Sequence, residues 1–267
     1  MNKRLKLDKT SRRIIYFLII YAIVVVAVFS FMYFNKKGSL YIITSDYKIK
    51  YIDGDWLNIT SVDDYNMQEC SVYDNDSYLG KYKLLLSNKF YLYDENGKPI
   101  TASGNVIAYR GSIKMSVLNT DLYMEALDTD NSYIKQALDK ANIENVSDYE
   151  VKQKTVLDVD NDGIDEKIYV VSNVLVSDPN TLDGYRDTKD NTIFSILFMV
   201  KDDKIYIIDS KKDQEDYKYF EMSHVIDIKE DGKIELIYLD KYLQTDYNQC
   251  VKIYDLNKEK TIKDFCK

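Results

Sequence analysis

The sequence feature that most constrains this chain is an uninterrupted run of uncharged residues near its start. Residues 14–34 carry no charged side chain, and most of these 21 positions are isoleucine, valine or phenylalanine. A helix of that length, rising 1.5 Å per residue, is about 32 Å long, close to the roughly 30 Å hydrocarbon core of a bilayer. The alternative, a helix buried in a protein core, would show more polar positions. The run therefore predicts one transmembrane helix over residues 14–34.

Basic residues on the two sides of this run predict its orientation. Six lie before it and two follow closely, so the positive-inside rule places residues 1–13 in the cytoplasm as a short tail. A cleaved signal peptide is the alternative, but its shorter apolar core would end in small residues, whereas this run ends in Phe-Met-Tyr-Phe. The segment is thus expected to be a signal anchor in the plasma membrane. The basic residues are Lys3, Arg4, Lys6, Lys9, Arg12, Arg13, Lys36 and Lys37.

The net charge changes sign after the apolar run. Residues 1–38 carry a net charge of +7, and because the whole chain carries −8, the remainder carries −15. A domain with this much negative charge repels nucleic acid and favours cation-rich surroundings. We therefore expect no nucleic-acid partner. Hydrophobic residues make up 45% of the chain, which is enough to build a folded core.

The chain after the apolar run shows short β-strand patterns separated by turn residues. This predicts a mainly β external domain of short antiparallel sheets. A first β unit over 39–119 contains Asp53-Gly54, a dipeptide typical of hairpin turns, and a second hairpin joined at Arg110-Gly111. A second β unit is expected over 149–267. The predicted strands of the first unit are 40–43, 48–52, 56–59, 71–73, 81–86, 90–93, 105–109 and 112–118.

A helical connector over 120–148 is predicted between the two β units. Its apolar residues recur at helical spacing, and Asp130 or Asn131 is available as the N-cap, so we expect one amphipathic helix of three turns. No proline- or serine-rich linker separates the units. The spaced apolar residues are Tyr133, Ile134, Ala137, Leu138 and Ala141.

The second β unit contains an internal repeat with a period of 69 residues. Residues 156–170 and 225–239 both read as a strand, a tight acidic loop with glycine at its sixth position, and a second strand. We call residues 158–166 the first acidic loop and residues 227–235 the second acidic loop. A predicted hairpin, 194–200 and 205–209, lies between them, so a repeat of this length matches a four-stranded blade.

The first acidic loop has the composition of a metal site. Carboxylates at positions 1, 3, 5 and 9, with the carbonyl of Ile164 at position 7, form an oxygen set suited to Ca²⁺. The alternative is an acidic surface hairpin without metal. Position 12 is Tyr169, so the loop is not a complete EF-hand. We predict one Ca²⁺, with the ligands Asp158, Asp160, Asp162, Glu166 and the Ile164 carbonyl.

These residues resemble the calcium loops of FG-GAP/VCBS-type repeats, the blades of integrin-like β-propellers. The resemblance covers the first acidic loop with its flanking strands and, more faintly, the second acidic loop. It implies an extracellular binding or structural module. In the second loop Lys229 replaces the oxygen ligand at position 3, so that loop is expected to be metal-free, with the ammonium substituting for the cation. About 229 residues are too few for a closed propeller, so two blade-like repeats or a small sandwich are expected.

Three cysteines are too few for a disulfide scaffold. Cys250 and Cys266 nevertheless lie symmetrically about Lys258, at the centre of a predicted C-terminal hairpin, which places them opposite each other. Whether they form a disulfide stays open at this point. Cys70 lies outside that pair.

Catalytic patterns are sparse. His224 is the single histidine, and a structural role is favoured over a catalytic one. Residues 45–48 fit S-x-x-K in a strand context without its companion motifs. Trp56 is expected to pack in the core. The sequence thus predicts a non-catalytic, membrane-anchored structural or interaction module that contacts a cell-surface protein or cell-wall glycan; the alternative is a carboxylate-dependent cell-wall hydrolase.

Overall fold

The fold is mainly antiparallel β, as predicted. Seventeen strands and two α-helices are found among the described residues, together with one short 3-10 turn at Asp128–Asp130. A computed structural model describes residues 9–35, 38–44, 47–59, 68–74, 77–86, 90–100, 105–113, 115–118, 121–146, 149–174, 193–212, 218–242 and 250–266.

The elements follow each other in two groups along the chain. The first group is α1 (Lys9–Asn35), β1 (Ser39–Ile43), β2 (Lys48–Ile52), β3 (Asp55–Asn58), β4 (Gln68–Asp74), β5 (Ser77–Leu86), β6 (Phe90–Tyr93), β7 (Pro99–Ile100), β8 (Val106–Arg110) and β9 (Ser116–Val117). The second group is α2 (Asn131–Lys140), β10 (Glu150–Leu157), β11 (Glu166–Ser172), β12 (Phe194–Lys201), β13 (Lys204–Lys212), β14 (Lys218–Asp227), β15 (Ile234–Tyr242), β16 (Cys250–Asp255) and β17 (Lys260–Cys266).

The strands form three sheets. The first sheet has eight strands in the order β3-β2-β1-β8-β4-β5-β6-β7, and the hairpin of β2 and β3 turns at Asp53 and Gly54, both with positive φ. The second sheet is the meander β10-β11-β12-β13. The third sheet has the order β17-β16-β15-β14-β9. Each internal repeat therefore supplies one four-stranded meander.

The layers stack in the order α2, second sheet, third sheet, first sheet. Ile168 and Val170 of β11 pack against Leu236 of β15 in the core between the second and third sheets. The residue of β15 that matches Ile168 after 69 residues is Ile237, and it packs in the next core with Leu40 of β1. The two repeats thus stack in the same sense, with matching faces pointing in one direction. Both faces of the third sheet are therefore buried at β14, β15 and β16.

One predicted strand of the first unit was wrong. Residues 112–118 were expected to pair with the strand before them, but residues 111–112 form a turn and the strand that follows is only Ser116–Val117. β9 pairs instead with the end of β14, Val117 opposite Ile226. An alternating pattern marks a strand but carries no information about which sheet that strand joins. The last strand before the connector therefore belongs to the sheet of the second repeat.

The predicted helix is confirmed as α2, and Asp130 is its N-cap residue, but the cap works differently from expectation. The Asp130 side chain does not cap the helix. Its buried carboxylate accepts hydrogen bonds from Lys154 Nζ at 2.6 Å and from the Tyr169 hydroxyl at 2.8 Å. Burial acts to raise the pKa of Asp130, but these hydrogen bonds and that of the Leu127 N–H together hold it below its usual value. The carboxylate thus fixes the start of α2 against the second sheet.

α1 covers the backbone of the predicted transmembrane segment. Its described side chains are those of residues 16–29, and large apolar ones such as Phe17 and Ile23 are exposed. Within the part of the chain that the structure describes, no helix is both long and apolar enough to cross a membrane. Most of the predicted basic tail, residues 1–8, lies outside the described residues, as do Lys36 and Lys37.

Cys250 and Cys266 are directly opposite each other in the pair of β16 and β17 and form a disulfide, with 4.1 Å between their Cα atoms. The strand pairing expected from the symmetry about Lys258 is therefore confirmed. Cys70 is buried in the first sheet, on the face that points away from the third sheet.

Candidate metal site in the first acidic loop

The first acidic loop connects β10 to β11. Leu157 and Glu166 form the last residue pair before the loop. Two residues inside it, Asn161 and Gly163, have φ values of 62° and 87°, in the left-handed region that asparagine and glycine tolerate best. These two positions turn the chain sharply between β10 and β11.

Backbone N–H groups fix the first and third aspartates of the loop. Asp158 accepts the N–H of Asp162 through Oδ1 at 3.1 Å and the N–H of Gly163 through Oδ2 at 2.9 Å. Asp162 accepts the N–H of Ile164 at 2.7 Å. A carboxylate offers about four lone-pair positions, so each oxygen of Asp158 keeps acceptor capacity for a cation.

The loop brings three of the four predicted carboxylates together. One oxygen each from Asp158, Asp160 and Glu166 lie within 4.8 Å of one another. Two oxygens bound to the same Ca²⁺ at 2.3–2.6 Å can be at most about 5 Å apart, so this spacing fits a single hard cation. Asp162 stands outside this group, and its Oδ1 is held by the Ile164 N–H. The side chain of Ile164, whose backbone carbonyl is the fifth predicted ligand, is exposed to solvent.

Glu166 is the buried member of the group. It is only 2% exposed, and its Oε2 accepts the N–H of Val159 at 2.7 Å. Burial raises the pKa of Glu166, against the lowering effect of that hydrogen bond, and the charges of Asp160 and Asp162 raise it further. A bound cation would reverse this repulsion and favour the ionised carboxylate.

Lys201, at the end of β12, also reaches this site. Its Nζ lies 2.5 Å from Asp160 Oδ2. This ammonium is the main reason why the pKa of Asp160 lies below its usual value. Lys167 pairs with Val200, so Lys201 comes level with Glu166 on the neighbouring strand.

The second acidic loop repeats the same backbone between β14 and β15. Asp227 accepts the N–H groups of Asp231 at 3.2 Å and of Gly232 at 2.8 Å, which match the two bonds made by Asp158. Glu230 and Gly232 have positive φ, like their counterparts Asn161 and Gly163. The internal repeat is therefore a repeat of structure as well as of sequence.

The charges of the second loop are arranged differently. Lys229 donates its backbone N–H to Asp227 at 3.1 Å. The ammonium of Lys233 lies 2.7 Å from Asp231 and, with a smaller contribution from the charge of Lys229, lowers the pKa of Asp231. The expectation that Lys229 stands in for a cation remains a prediction.

Glu235 closes the second loop as Glu166 closes the first. Its Oε2 is buried and has no hydrogen-bond partner among the described residues. Burial, with the nearby charges of Asp255 and Asp227, raises the pKa of Glu235 to about 8. Asp255 lies directly opposite Glu235 on β16, at the strand position where the first repeat has Lys201. The third strand thus brings a negative charge here and a positive charge in the first repeat.

Asn257 joins the two acidic loops. Its Nδ2 donates to the carbonyl of Val159 at 2.9 Å and to that of Gly232 at 3.2 Å. Its Oδ1 accepts the N–H of Ile234 at 2.7 Å. The two loops therefore lie side by side at one edge of the stacked sheets.

His224 lies on β14, three residues before Asp227. Its Nδ1 lies 2.8 Å from Ser223 Oγ and 3.1 Å from the Tyr47 hydroxyl. Burial lowers the pKa of His224 to about 4, so the imidazole is neutral and too weakly basic to activate a nucleophile at neutral pH. Ser45 and Asp46 of the S-x-x-K match lie outside the described residues. Trp56 packs in the core as predicted.

Sequence reasoning missed Lys201, Asp255 and Asn257. Each lies on a different strand or turn from the loop that it contacts. Lys201 follows the apolar run of β12, a place where lysine usually ends a strand in solvent, so its role had no distinct signal. Asp255 is the last residue of β16 and Asn257 lies in the turn of the C-terminal hairpin, where acidic and amide residues are common.

Comparisons with protein-family models, curated proteins and solved structures find no match to this chain. Its function is therefore inferred from the chemistry and geometry of its own residues.

Proposed function

We propose that this protein is a membrane-anchored extracellular module whose first acidic loop binds one Ca²⁺, and that it serves a structural or binding role. The observation that carries the proposal is the convergence of Asp158, Asp160 and Glu166 oxygens within 4.8 Å of one another. Asp162 and the Ile164 carbonyl complete the proposed ligand set. The partner is a cell-surface protein or a cell-wall glycan.

The stacking of the two repeats supports the resemblance to FG-GAP/VCBS-type blades. Successive propeller blades are four-stranded sheets around a common axis. Here two four-stranded meanders pack in the same sense, each with a tight acidic loop between its first two strands. A calcium ion in the loop would stiffen one edge of such a stack.

Calcium binding is tested by melting the purified protein with Ca²⁺ and with a chelator. At ten times the dissociation constant, the ion stabilises the native state by about 1.4 kcal/mol, which moves the melting temperature by a few degrees. We expect this shift in the parent protein and its loss in Asp160→Ala. Asp231→Ala, which removes a carboxylate from the second acidic loop, is the matched control and should keep the shift. An equal response in all three proteins, or none, would leave an acidic hairpin without metal.

Membrane anchoring is supported by the uncharged run 14–34, by the basic residues before it and by the exposed apolar side chains of 16–29. The test is protease treatment of intact cells from which the wall has been removed. We expect digestion of everything beyond residue 38, and recovery of the protein in the membrane fraction. Complete protection of the domain from protease would overturn the proposed topology.

A non-catalytic role is tested against the hydrolase alternative. The purified protein is incubated with cell-wall glycan, and soluble fragments are measured. We expect no release above that of a heat-treated sample. Turnover that is lost on substitution of a carboxylate without loss of fold would establish the hydrolase instead.

A further inference from the structure

The ammonium of Lys201 contacts one of the proposed metal ligands, Asp160. It contacts Asp160 at 2.5 Å, and the two side chains are 20% and 31% exposed, so the pair is partly shielded from water. The charge of Glu166 acts on Lys201 as well. Lys201 comes from a neighbouring strand, so it is not part of the loop that it neutralises.

A divalent cation and this ammonium need the same carboxylate. The first acidic loop contains five acidic residues, of which four, Asp158, Asp160, Asp162 and Glu166, belong to the proposed ligand set; the fifth is Asp165. Two cations a few ångströms apart repel each other, and more strongly at a partly shielded site than in bulk water. A metal ion that binds Asp160 will therefore be opposed by the ammonium unless Lys201 moves away.

We propose that Lys201 is a built-in competitor of the metal, which holds Asp160 in the ion-free loop and leaves it when a divalent cation binds. This inference rests on the calcium site proposed above and adds how its affinity is set. Because the lysine is tethered to the adjacent strand, its ammonium is present at a high effective concentration at all times. It keeps the ion-free loop ordered and makes the site weaker for the ion.

The second repeat supports this role through an exchange of charges. In the first repeat, position 3 of the loop is Asp160 and the third strand brings Lys201. In the second repeat, position 3 is Lys229 and the third strand brings Asp255, opposite Glu235. At these two positions, position 3 of the loop and the third-strand residue opposite the closing glutamate, each repeat thus has one lysine and one aspartate.

The test is a Ca²⁺ titration of the full chain, followed by calorimetry and by melting temperature. Lys201→Gln removes the ammonium and keeps a polar side chain of similar length. We expect its dissociation constant for Ca²⁺ to fall roughly tenfold, because one repelling charge next to the ion is lost. The matched control is Lys211→Gln on β13 of the same sheet, whose lysine pairs with Asp240 at 3.3 Å. Its dissociation constant should stay within twofold of the parent's.

A second readout follows the lysine itself. Acylation of Lys201 by an amine-reactive reagent, measured by peptide mass spectrometry, should become faster when Ca²⁺ is added. Displacement of the ammonium from Asp160 predicts this gain, and a lysine that stays bound predicts none. Lys211 serves as the internal reference, with an unchanged rate.

The outcomes separate this inference from the proposed function. If the parent binds Ca²⁺ and Lys201→Gln binds it equally or more weakly, the competitor role is overturned and the calcium site stands. If only Lys201→Gln responds to Ca²⁺, the competitor role is supported in its strongest form. If neither protein responds, the calcium site and the inference fail together.

Discussion

In the first acidic loop the neighbouring strand supplies a lysine, and in the second acidic loop it supplies an aspartate. The loop backbones themselves match, with an aspartate that accepts two N–H groups, a glycine of positive φ and a closing glutamate. Burial raises the pKa of both closing glutamates, Glu166 and Glu235, but their partners differ. Glu166 accepts the Val159 N–H and has Lys201 opposite it, whereas Glu235 Oε2 has no hydrogen-bond partner among the described residues and has Asp255 opposite it. The comparison teaches that the sequence of a loop sets its backbone shape, while the neighbouring strand adds a further charge of either sign beside the closing glutamate.

The largest difference is expected at Glu235. Its pKa of about 8 exceeds the usual 4.5, so the native state keeps it neutral where the unfolded state ionises. Its contribution to stability is therefore complete below about pH 4.5 and is lost as pH rises to about 8. Glu235→Gln stays neutral, so at pH 9 it should exceed the parent in unfolding free energy by on the order of 4 kcal/mol.

Urea denaturation between pH 5 and pH 9, with chelator present, measures this difference. Glu166→Gln is the matched control in the first loop. Burial raises the pKa of Glu166 as well, but the hydrogen bond from the Val159 N–H and the charge of Lys201 lower it, so a smaller gain is expected. Parallel pH profiles for Glu235→Gln and the parent would refute the assignment of a neutral Glu235.

On the acidic side, the second repeat should be the more sensitive because of His224. The matching position of the first repeat is Thr155, which does not titrate. The native pKa of His224, about 4, lies below the usual 6.5, so the unfolded state gains a proton first as pH falls. Stability is lost between pH 6.5 and pH 4, by on the order of 3 kcal/mol.

His224→Gln should flatten the pH profile over that range, as measured by thermal unfolding at half-unit steps. Ser223→Ala is the control, because burial and not the Ser223 hydroxyl lowers the pKa of His224. That variant should keep the parent's slope. A His224→Gln profile as steep as the parent's would assign the acid sensitivity to carboxylates instead.

Asn257 tests whether the two loops depend on each other. Asn257→Ala removes the donor to Val159 and Gly232 and the acceptor for Ile234. Three backbone groups then lose this partner, and two of the three hydrogen bonds are partly buried. We expect a loss of about 2 kcal/mol in unfolding free energy. Asn257→Asp keeps the acceptor and loses the donor, so its free energy of unfolding should lie between those of the parent and of Asn257→Ala. Hydrogen exchange that quickens in one loop only would show that the loops are independent.

The smallest effect concerns the two loop glycines, where the repeats should behave alike. Gly163 and Gly232 have φ values of 87° and 77°, and an added Cβ would meet no atom within 4 Å at either position. Substitution by alanine therefore costs backbone strain alone, about 1 kcal/mol at each site. Melting curves of Gly163→Ala and Gly232→Ala in chelator should shift equally. A clearly larger loss at one glycine would show that the two backbones are not equivalent.

Much of the local structure could be predicted from the sequence. The strands 48–52 and 90–93 have the expected bounds, the helix over 131–140 was anticipated from its spacing, and both acidic loops lie between strands as the repeat indicated. These features depend on contacts between residues close in the chain, where side-chain period, turn residues and capping positions carry the information.

The arrangement of charge around the loops was decided by the tertiary structure. Lys201 and Asp255 reach the loops through the registers of β11 with β12 and of β15 with β16, which no local sequence pattern specifies. The same reason explains the wrong assignment of residues 112–118. By itself the sequence determined an apolar segment, two matching acidic loops and their candidate ligands. Only packing decided which charged residue of a neighbouring strand lies beside each loop, because strand register and sheet stacking are set by cores that form between distant segments.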